Sequence, residues 1–203
     1  MQDEPTRRRV IVAITGATGA VFGVRTLQRL QEFDVETHLV VSGWGMRTLA
    51  HETSLGPDDL KGIADFVYRP GDQGAAISSG SFRTAGMIVA PCSVKTVAAI
   101  ASGYASDLIP RAADVVLKER RSLVLLVRES PLSEIHLDNM LKLSRMGVSI
   151  VPPVPAFYNH PSSIAELIDH VVTRALDQLG LESYSTPRWD GRMGQQRVAD
   201  ASQ

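Results

Sequence analysis

The sequence predicts an α/β protein in which a mostly parallel β-sheet is covered by helices on both faces. Short apolar runs of the length of buried strands alternate with segments of helical periodicity along the whole chain. Polar residues, glycines and prolines cluster where the apolar runs end. Because strands without polar positions must be buried on both faces, this pattern favours a parallel sheet between two helical layers.

Apolar runs bounded by turn-forming residues predict the strands of this sheet. They cover residues 10–14, 35–42, 86–93, 122–129 and 148–153. Ligands of such sheets bind beyond the carboxyl ends of the strands. Residues that follow these runs are therefore the first candidates for a functional site.

Helical periodicity and capping residues predict the intervening segments. Pro57 opens a short helical turn, Ser133 caps a later helix that Gly147 ends, and Gly180 ends the last one. The predicted helical segments are 20–32, 44–53, a turn from 57, 94–101, 110–120, 134–146 and 162–180.

Composition limits the class of protein. The chain has 203 residues, of which 44% are hydrophobic and 21% charged, as in a soluble domain with its own core. The formal net charge of −1 indicates neither nucleic acid nor an anionic membrane surface as a partner, and no apolar run is long enough to span a membrane. We expect a single domain over 1–203 with tails at 1–8 and about 186–203, although Trp189 suggests that part of the second tail packs.

Cysteine and histidine usage argues against disulfides and metal sites. Cys92 is the only cysteine, so no disulfide forms within the chain, and we expect a reducing, cytoplasmic location. The arginines before the first apolar run imitate a signal peptide, but Thr15 and Gly16 interrupt that run early. The histidines lack the spacing of metal ligands and no Asp-rich magnesium motif occurs, so no metal is expected.

Two strand ends carry loops that suit a phosphorylated ligand. Residues 16–19 read Gly-Ala-Thr-Gly and residues 91–96 read Pro-Cys-Ser-Val-Lys-Thr, each before a predicted helix. Free N–H groups at a helix start bind phosphate, and glycine permits close approach of the ligand. A tight turn that serves packing alone explains the first loop equally well. Cys92 in the second loop is more simply a buried residue than a nucleophile.

Three further features could contact a ligand or be purely structural. The serine-rich loop 78–82 could cover a ligand or remain solvated. Arg111 and Lys118 share a helix face and could form either a phosphate clamp or a solvated surface. Tyr158 follows the last strand, and Arg174 interrupts the apolar face of the last helix, where it needs a partner.

Together these segments resemble the UbiX-type flavin prenyltransferases, in particular the branch associated with phenolic-acid (hydroxyarylic acid) decarboxylases. The resemblance covers about residues 9–189. Seven motifs in the family's order are far more specific than any one of them. They are ITGATGA, ETHLVVS, SSGSF, PCSVKT, RAADVVLKERR, the VRE-PL-HL-NML series and PPVPAFYNHP.

The resemblance implies a three-layer Rossmann-like or flavodoxin-like subunit that binds FMN and assembles into a homo-oligomer, a dodecamer. The implied reaction transfers a dimethylallyl group from dimethylallyl monophosphate to N5 of reduced FMN and closes a ring at C6, without a metal. The product, prenylated FMN, would serve a UbiD-type decarboxylase.

The resemblance also implies roles for individual residues. The residues that match FMN contacts are Gly16, Ala17, Thr18, Ser42, Ser93, Val94, Lys95, Thr96 and Arg128. Those that match the prenyl-phosphate site are Tyr158, Arg174, Arg111 and Lys118, to which we add Ser79 of the serine-rich loop. The expected catalytic residues are Glu129 as the acid–base group, Lys118, Thr18 beside the flavin N5 region, and Glu52 as a second acidic residue.

One departure from the family and two alternative functions remain. Some members carry a tryptophan before the serine-rich loop where this chain has Gln73; the flavin face would then stabilise an allylic cation instead. The protein could also be an FMN-binding component of an aromatic acid decarboxylase, or a flavin oxidoreductase. Lys118, Glu129, Tyr158 and Arg174 discriminate between these functions, because only a phosphate leaving group requires them.

Overall fold

A computed structural model of the protein describes residues 7–182. Within this range the strands are β1 (Arg9–Ile14), β2 (Glu36–Val41), β3 (Phe66–Tyr68), β4 (Gly86–Cys92), β5 (Ser122–Val127) and β6 (Ser149–Ile150). The helices are α1 (Ala20–Glu32), α2 (Gly43–Glu52), α3 (Pro57–Ile63), α4 (Val94–Ser102), α5 (Leu108–Lys118), α6 (Glu134–Arg145) and α7 (Ile164–Asp177).

All strand pairs are parallel, and the strand order is β3-β2-β1-β4-β5-β6. Val12 of β1 lies opposite Leu39 of β2 on one side and Ile88 of β4 on the other. This is the order of the Rossmann fold, in which the direction of winding reverses between the first and fourth strands. A crevice therefore opens at the carboxyl ends of β1 and β4, where ligands of such sheets bind.

The sheet lies between two helical layers, as predicted. On one face, Val12 and Ile14 of β1 pack with residues of α1, α2, α3 and α7. On the other face, Ile11 and Ala13 pack with residues of α4, α5 and α6. Every residue of β4 is buried, which explains why its sequence shows no alternation of apolar and polar positions.

Several predicted element bounds differ from the structure, and three of the differences have a clear physical reason. The last strand is Ser149–Ile150 rather than 148–153, because prolines follow at 152 and 153 and cannot donate to a sheet ladder. The fifth helix begins at Leu108, before Pro110, because the Asp107 side chain accepts a hydrogen bond from the N–H of Ile109 at 2.9 Å. β5 ends at Val127 rather than 129, which leaves Arg128 and Glu129 in the loop.

The two arginines at the start of the described range contact the folded unit. The Arg7 guanidinium forms an ion pair with Asp65 at 2.9 Å, and that of Arg8 donates to the backbone carbonyls of Leu179 and Gly180 at 3.1 Å. Both residues thus differ from the predicted tail at 1–8. The predicted tail at 186–203, with Trp189, lies outside the described residues. Of the helices within residues 7–182, none has the length and apolar character to cross a membrane.

Candidate active site

A cleft of about 500 Å³ lies at the carboxyl ends of β1 and β4. The loops after β1, β2 and β4 form its floor and sides, and the start of α5 closes the far side. Its lining residues include Thr15, Gly16, Ser42, Trp44, Arg47, Ser93, Lys95, Thr96, Asp107 and Ile109. Five of the predicted FMN contacts therefore line one cleft: Gly16, Ser42, Ser93, Lys95 and Thr96.

Thr15 ties the two central loops together. Its hydroxyl donates to the Pro91 carbonyl at 2.8 Å and accepts from the Ser93 N–H at 2.8 Å, and its own N–H donates to Pro91 at 3.2 Å. The side chain is 1% exposed. Its role was not predicted from the sequence, because a threonine at a strand end carries no signal of its partner many residues away.

Two helices open onto the cleft with serine caps. The Ser42 hydroxyl accepts from the N–H of Gly45 at 2.9 Å at the start of α2. At the start of α4, the Ser93 hydroxyl accepts from the N–H of Thr96 at 3.4 Å. Each cap satisfies one N–H, and the other first-turn N–H groups are oriented to bind an anion. The cleft thus has two adjacent helix starts that could bind an anion.

Gly16 is required by close packing. A Cβ atom at Gly16 would lie 2.6 Å from the Cβ of Trp44, far inside contact distance. Likewise, a Cβ at Gly45 would lie 2.5 Å from the carbonyl oxygen of Ile14. The glycines therefore bring the loop after β1 against the start of α2. Packing therefore requires the first glycine, and the same contact also shapes the cleft, so packing and ligand binding are compatible at this position.

Glu52 supplies the N-terminal cap of α1 from the end of α2. Its carboxylate accepts a hydrogen bond from the Thr18 hydroxyl, and it accepts from the N–H groups of Gly19 at 2.9 Å and Ala20 at 2.8 Å. Gly19 has a φ of 97°, a left-handed conformation that favours glycine. Partial burial raises the pKa of Glu52, but the hydrogen bonds from Thr18, Ala20 and Gly19 outweigh it, so the pKa lies below its usual value. The fold thus brings Thr18 and Glu52 into direct contact, which the sequence did not predict.

The donor set of the cleft fits FMN. Helix starts and the exposed Lys95 ammonium suit a phosphate, while hydroxyls of Ser42, Ser93 and Thr96 can bond to polar atoms of a ribityl chain or ring. The volume lies within the range of about 300–1,000 Å³ that is typical of cofactor sites. Of the first loop, Gly16 lines the cleft, whereas Ala17 and Thr18 follow it in sequence and are not among the lining residues.

Arg128 and Glu129 lie at the same edge of the sheet, beside the start of α4. The N–H of Arg128 donates to the Cys92 carbonyl at 3.0 Å, which holds the end of β5 against that of β4. The Arg128 side chain is exposed, whereas Glu129 is half-buried and accepts from the N–H of Ser130 at 3.1 Å. Neither side chain lines the cleft itself.

Arg111, Lys118 and Ser79 lie on a separate surface along α5. The Arg111 guanidinium donates to the Ser78 carbonyl at 3.2 Å and pairs with Asp114 at 3.0 Å. Lys118 pairs with Glu119 at 2.5 Å, in a second groove of about 480 Å³ beside the start of β5. Since α5 starts at the cleft and its 11 residues span about 16 Å, Lys118 lies at the opposite edge of the sheet.

The serine-rich loop 78–82 is held at several points. Arg121 donates to the carbonyls of Gly80 at 2.7 Å and Phe82 at 2.8 Å, and the hydroxyls of Ser79 and Ser81 lie 2.9 Å apart. The loop thus presents a polar surface beside Lys118 and Arg111. Arg121 and Arg111 thus bind the backbone of this loop, which leaves both of its predicted roles, covering a ligand or remaining solvated, as predictions.

Tyr158 and Arg174 meet around His170, a residue that sequence analysis missed. The Tyr158 hydroxyl lies 3.4 Å from Nε2 of His170, and Arg174 follows one turn later on α7, where it pairs with Asp177 at 2.8 Å. Burial, followed by the nearby Arg174 charge, lowers the pKa of His170. The spacing of His170 and Arg174 was the available signal, since residues four apart share a helix face.

Cys92 and the groups that could bind a metal are described for residues 7–182. Cys92 is fully buried, and burial raises the pKa of its thiol, which disfavours the thiolate a nucleophile requires. Among residues 7–182, no group of three or more histidine, cysteine, aspartate and glutamate side chains could hold a metal ion.

Comparison with known proteins identifies the family. A family model described as Flavoprotein matches residues 1–176. A probable UbiX-like flavin prenyltransferase of Streptomyces sp. (strain D7) is 58% identical over 184 residues, which are 90% of this chain and 92% of the relative.

Two solved structures superpose closely on this fold. One is AnUbiX (PadA1) in complex with FMN and dimethylallyl pyrophosphate, with a TM-score of 0.90, 54% identity and coverage of 92% of this chain and 100% of that one. The other is a dodecameric FMN-dependent UbiX-like decarboxylase from Escherichia coli O157:H7, with a TM-score of 0.88, 59% identity and coverage of 90% and 100%. Since both sequence and fold match over nine-tenths of its length, this chain belongs to the UbiX-like flavin prenyltransferases of the Flavoprotein family.

Proposed function

We propose that this protein transfers a dimethylallyl group from dimethylallyl monophosphate to N5 and C6 of reduced FMN. Two sets of side chains support the proposal. One lines the cleft at β1 and β4 and suits FMN. The other comprises Lys118, Glu129, Tyr158 and Arg174, which simple flavin binding does not need. This second set is the single observation that carries the proposal, because cations and a hydroxyl suit a phosphate leaving group.

The residues proposed to bind FMN fall into groups by their position in the cleft and the chemical groups they offer. Ser42, Ser93, Val94, Lys95 and Thr96 belong to the two helix starts and bind the phosphate and polar atoms of FMN. Gly16 lines the cleft after β1, and we propose that Ala17 and Thr18, which follow it in the same loop, also contact the flavin. Arg128, exposed at the end of β5, adds a cation at the polar end of the ligand. Bound reduced flavin supplies the nucleophilic atoms, so the protein needs no nucleophilic side chain.

The remaining residues act on the prenyl phosphate and on protons. Arg111, Lys118, Tyr158 and Arg174 bind the phosphate and stabilise the charge that grows as it leaves. Glu129 holds or delivers a proton at a phosphate oxygen. Ser79 offers a further hydroxyl. Thr18, whose hydroxyl donates to Glu52, links the flavin loop to a carboxylate that can accept a proton.

The residues proposed to bind the prenyl phosphate lie too far apart to contact one ligand within a single chain. We therefore propose a site that is shared between copies of the chain. Lys118 lies at the opposite edge of the sheet from the cleft, and it can act only if a neighbouring copy brings it there. A homo-oligomer, such as the dodecamer of the E. coli relative, provides such neighbours. The exposed apolar residues around α6 support self-association; they are Leu132, Ile135, Leu137, Leu141 and Met146.

We propose that this activity occurs in the cytoplasm and that the product is delivered to a UbiD-type decarboxylase. The single buried thiol is consistent with a reducing compartment.

A second candidate function is that of an FMN-dependent component of a decarboxylase that acts on aromatic acids. It is favoured by the E. coli relative, which is described as an FMN-dependent decarboxylase.

An anaerobic incubation distinguishes the two candidates. The purified protein is mixed with reduced FMN and dimethylallyl monophosphate, and the mass of the extracted flavin is measured by mass spectrometry. A parallel sample receives a phenolic acid and no prenyl donor. We expect prenylated flavin in the first sample and no carbon dioxide from the second. Unmodified FMN together with decarboxylation would refute the transferase and support the alternative.

A further inference from the structure

Trp44 is a large aromatic side chain left exposed at the rim of the cleft. It lines the cleft, yet 68% of its surface is accessible. Among the lining residues of the described range it is the only aromatic one. An indole exposed to water forfeits the stabilisation that burial would give, so its position at a ligand cleft calls for a partner that covers it.

The side chain is fixed by its surroundings. Ser42 caps α2, and its N–H donates to the Ile14 carbonyl at 2.9 Å, which anchors the helix start to β1. Gly16 packs directly against the Cβ of Trp44. The Arg47 guanidinium lies 4.9 Å from the centre of the indole ring. The base of the Trp44 side chain is therefore anchored at the cleft, with one cation beside its ring.

The charge on Arg47 limits what this wall can bind. An indole face attracts cations, and the Arg47 guanidinium already lies beside this ring. Arg47 would repel a second positive charge close by. A neutral, flat aromatic ring suits the remaining surface, since aromatic pairs gain from offset stacking. The free N–H groups at the starts of α2 and α4 can bind an anionic group in the same cleft.

We propose that Trp44, beside Arg47, is the aromatic wall against which the flavin ring stacks in this cleft. The inference rests on the proposed function only in taking FMN as the ligand. It assigns Trp44 a contact with the ring and none with the phosphate.

Affinity for two flavins tests this assignment. FMN and riboflavin share the ring but differ in the phosphate, and both are titrated by calorimetry into wild type, Trp44→Ala and Trp44→Phe. We expect Trp44→Ala to weaken both ligands by the same factor, about tenfold for a stacking contact of this kind. Trp44→Phe should retain most of the affinity. Tyr104→Ala is the matched control, because Tyr104 is also 68% exposed but does not line the cleft.

Several outcomes would overturn the assignment. They are unchanged affinity in Trp44→Ala, loss of affinity for FMN alone, or a change in assembly mass by light scattering that accompanies the loss. The last would mean that a neighbouring copy covers Trp44. A wild type that binds FMN but yields no prenylated flavin would contradict the proposed function and leave this comparison intact.

Discussion

At the scale of single residues, a carboxylate from one helix organises the start of another. Glu52 ends α2 and accepts three hydrogen bonds at the start of α1. Such a cap combines ordinary hydrogen bonding with attraction to the positive end of the helix dipole. The resemblance identified Glu52 and Thr18 as site residues, but their direct contact emerged only from the fold, because 34 residues separate them.

The pKa of Glu52 predicts a pH dependence of stability. Because the folded-state pKa is lowered, the cap contributes stability above the unfolded pKa, about 4.3 for glutamate, and loses it as the pH falls through the folded value. We expect Glu52→Gln to be less stable than wild type at pH 7 and the difference to shrink towards pH 3. Urea unfolding at a series of pH values measures it. A difference that grows on acidification would refute the cap.

Glu129 is expected to act in turnover and not in flavin binding. Glu129→Gln keeps the shape of the side chain but cannot transfer a proton. We expect turnover to fall by about 100-fold or more, with FMN affinity unchanged. Single-turnover kinetics and flavin titration together measure this. If the variant loses flavin, Glu129 has a structural role instead.

At the scale of elements, close helix–sheet packing determines where the cleft lies. Gly23 of α1 faces the sheet, and a Cβ there would lie 2.4 Å from the Ala90 carbonyl oxygen and 2.6 Å from the side chain of Ile14. The helix can therefore lie directly on β1 and β4. This close approach holds the first loop beside the start of α4.

A pair of glycine substitutions tests that packing. Gly23→Ala should destabilise the protein by about 1–3 kcal/mol through overpacking. Gly62→Ala in α3 is the control, since its added Cβ meets nothing within 4 Å, and it should be neutral or stabilise by up to about 1 kcal/mol. Thermal unfolding of the two variants measures the contrast. Equal effects would show that α1 does not depend on contact at Gly23.

Most elements could be predicted because local signals agreed with tertiary packing. The predicted bounds of α1 match those observed, since its apolar stripe and its flanking turn are both local. β3 was missed because Phe66, Val67 and Tyr68 form a short, partly exposed edge strand. Its position depends on distant contacts, among them the Asp65 carboxylate accepting from the N–H of Thr37 at 2.8 Å. Such links cannot be inferred from spacing.

At the scale of the whole molecule, the candidate residues form separate groups. The sequence shows that Arg111 and Lys118 share a helix face, but only the direction of α5 reveals that Lys118 lies far from the cleft. Likewise, the pairing of Tyr158 with His170 depends on how the segment after β6 returns to α7. Family resemblance identified these residues, while their distribution leads to the proposal of a shared site.

Complementation between inactive variants tests the shared site. When Lys118→Ala and Glu129→Gln chains assemble together at random, we expect about one quarter of wild-type activity to return. In about one quarter of the shared sites, one copy then supplies an intact Lys118 and its neighbour an intact Glu129. Lys118→Ala mixed with Arg111→Ala is the control and should stay inactive, since both residues come from the same copy. Activity of mixed assemblies of confirmed composition is measured. No recovery in the first mixture would place all residues of a site in one chain.

Across the molecule, we propose that one set of side chains holds FMN while another drives transfer from the prenyl phosphate. Mass analysis of flavin after anaerobic incubation with dimethylallyl monophosphate tests this most directly, for wild type beside Glu129→Gln with equal bound FMN. We predict prenylated flavin from wild type and almost only unmodified FMN from the variant. Unmodified FMN from both proteins, or equal prenylation by both, would contradict this division of roles.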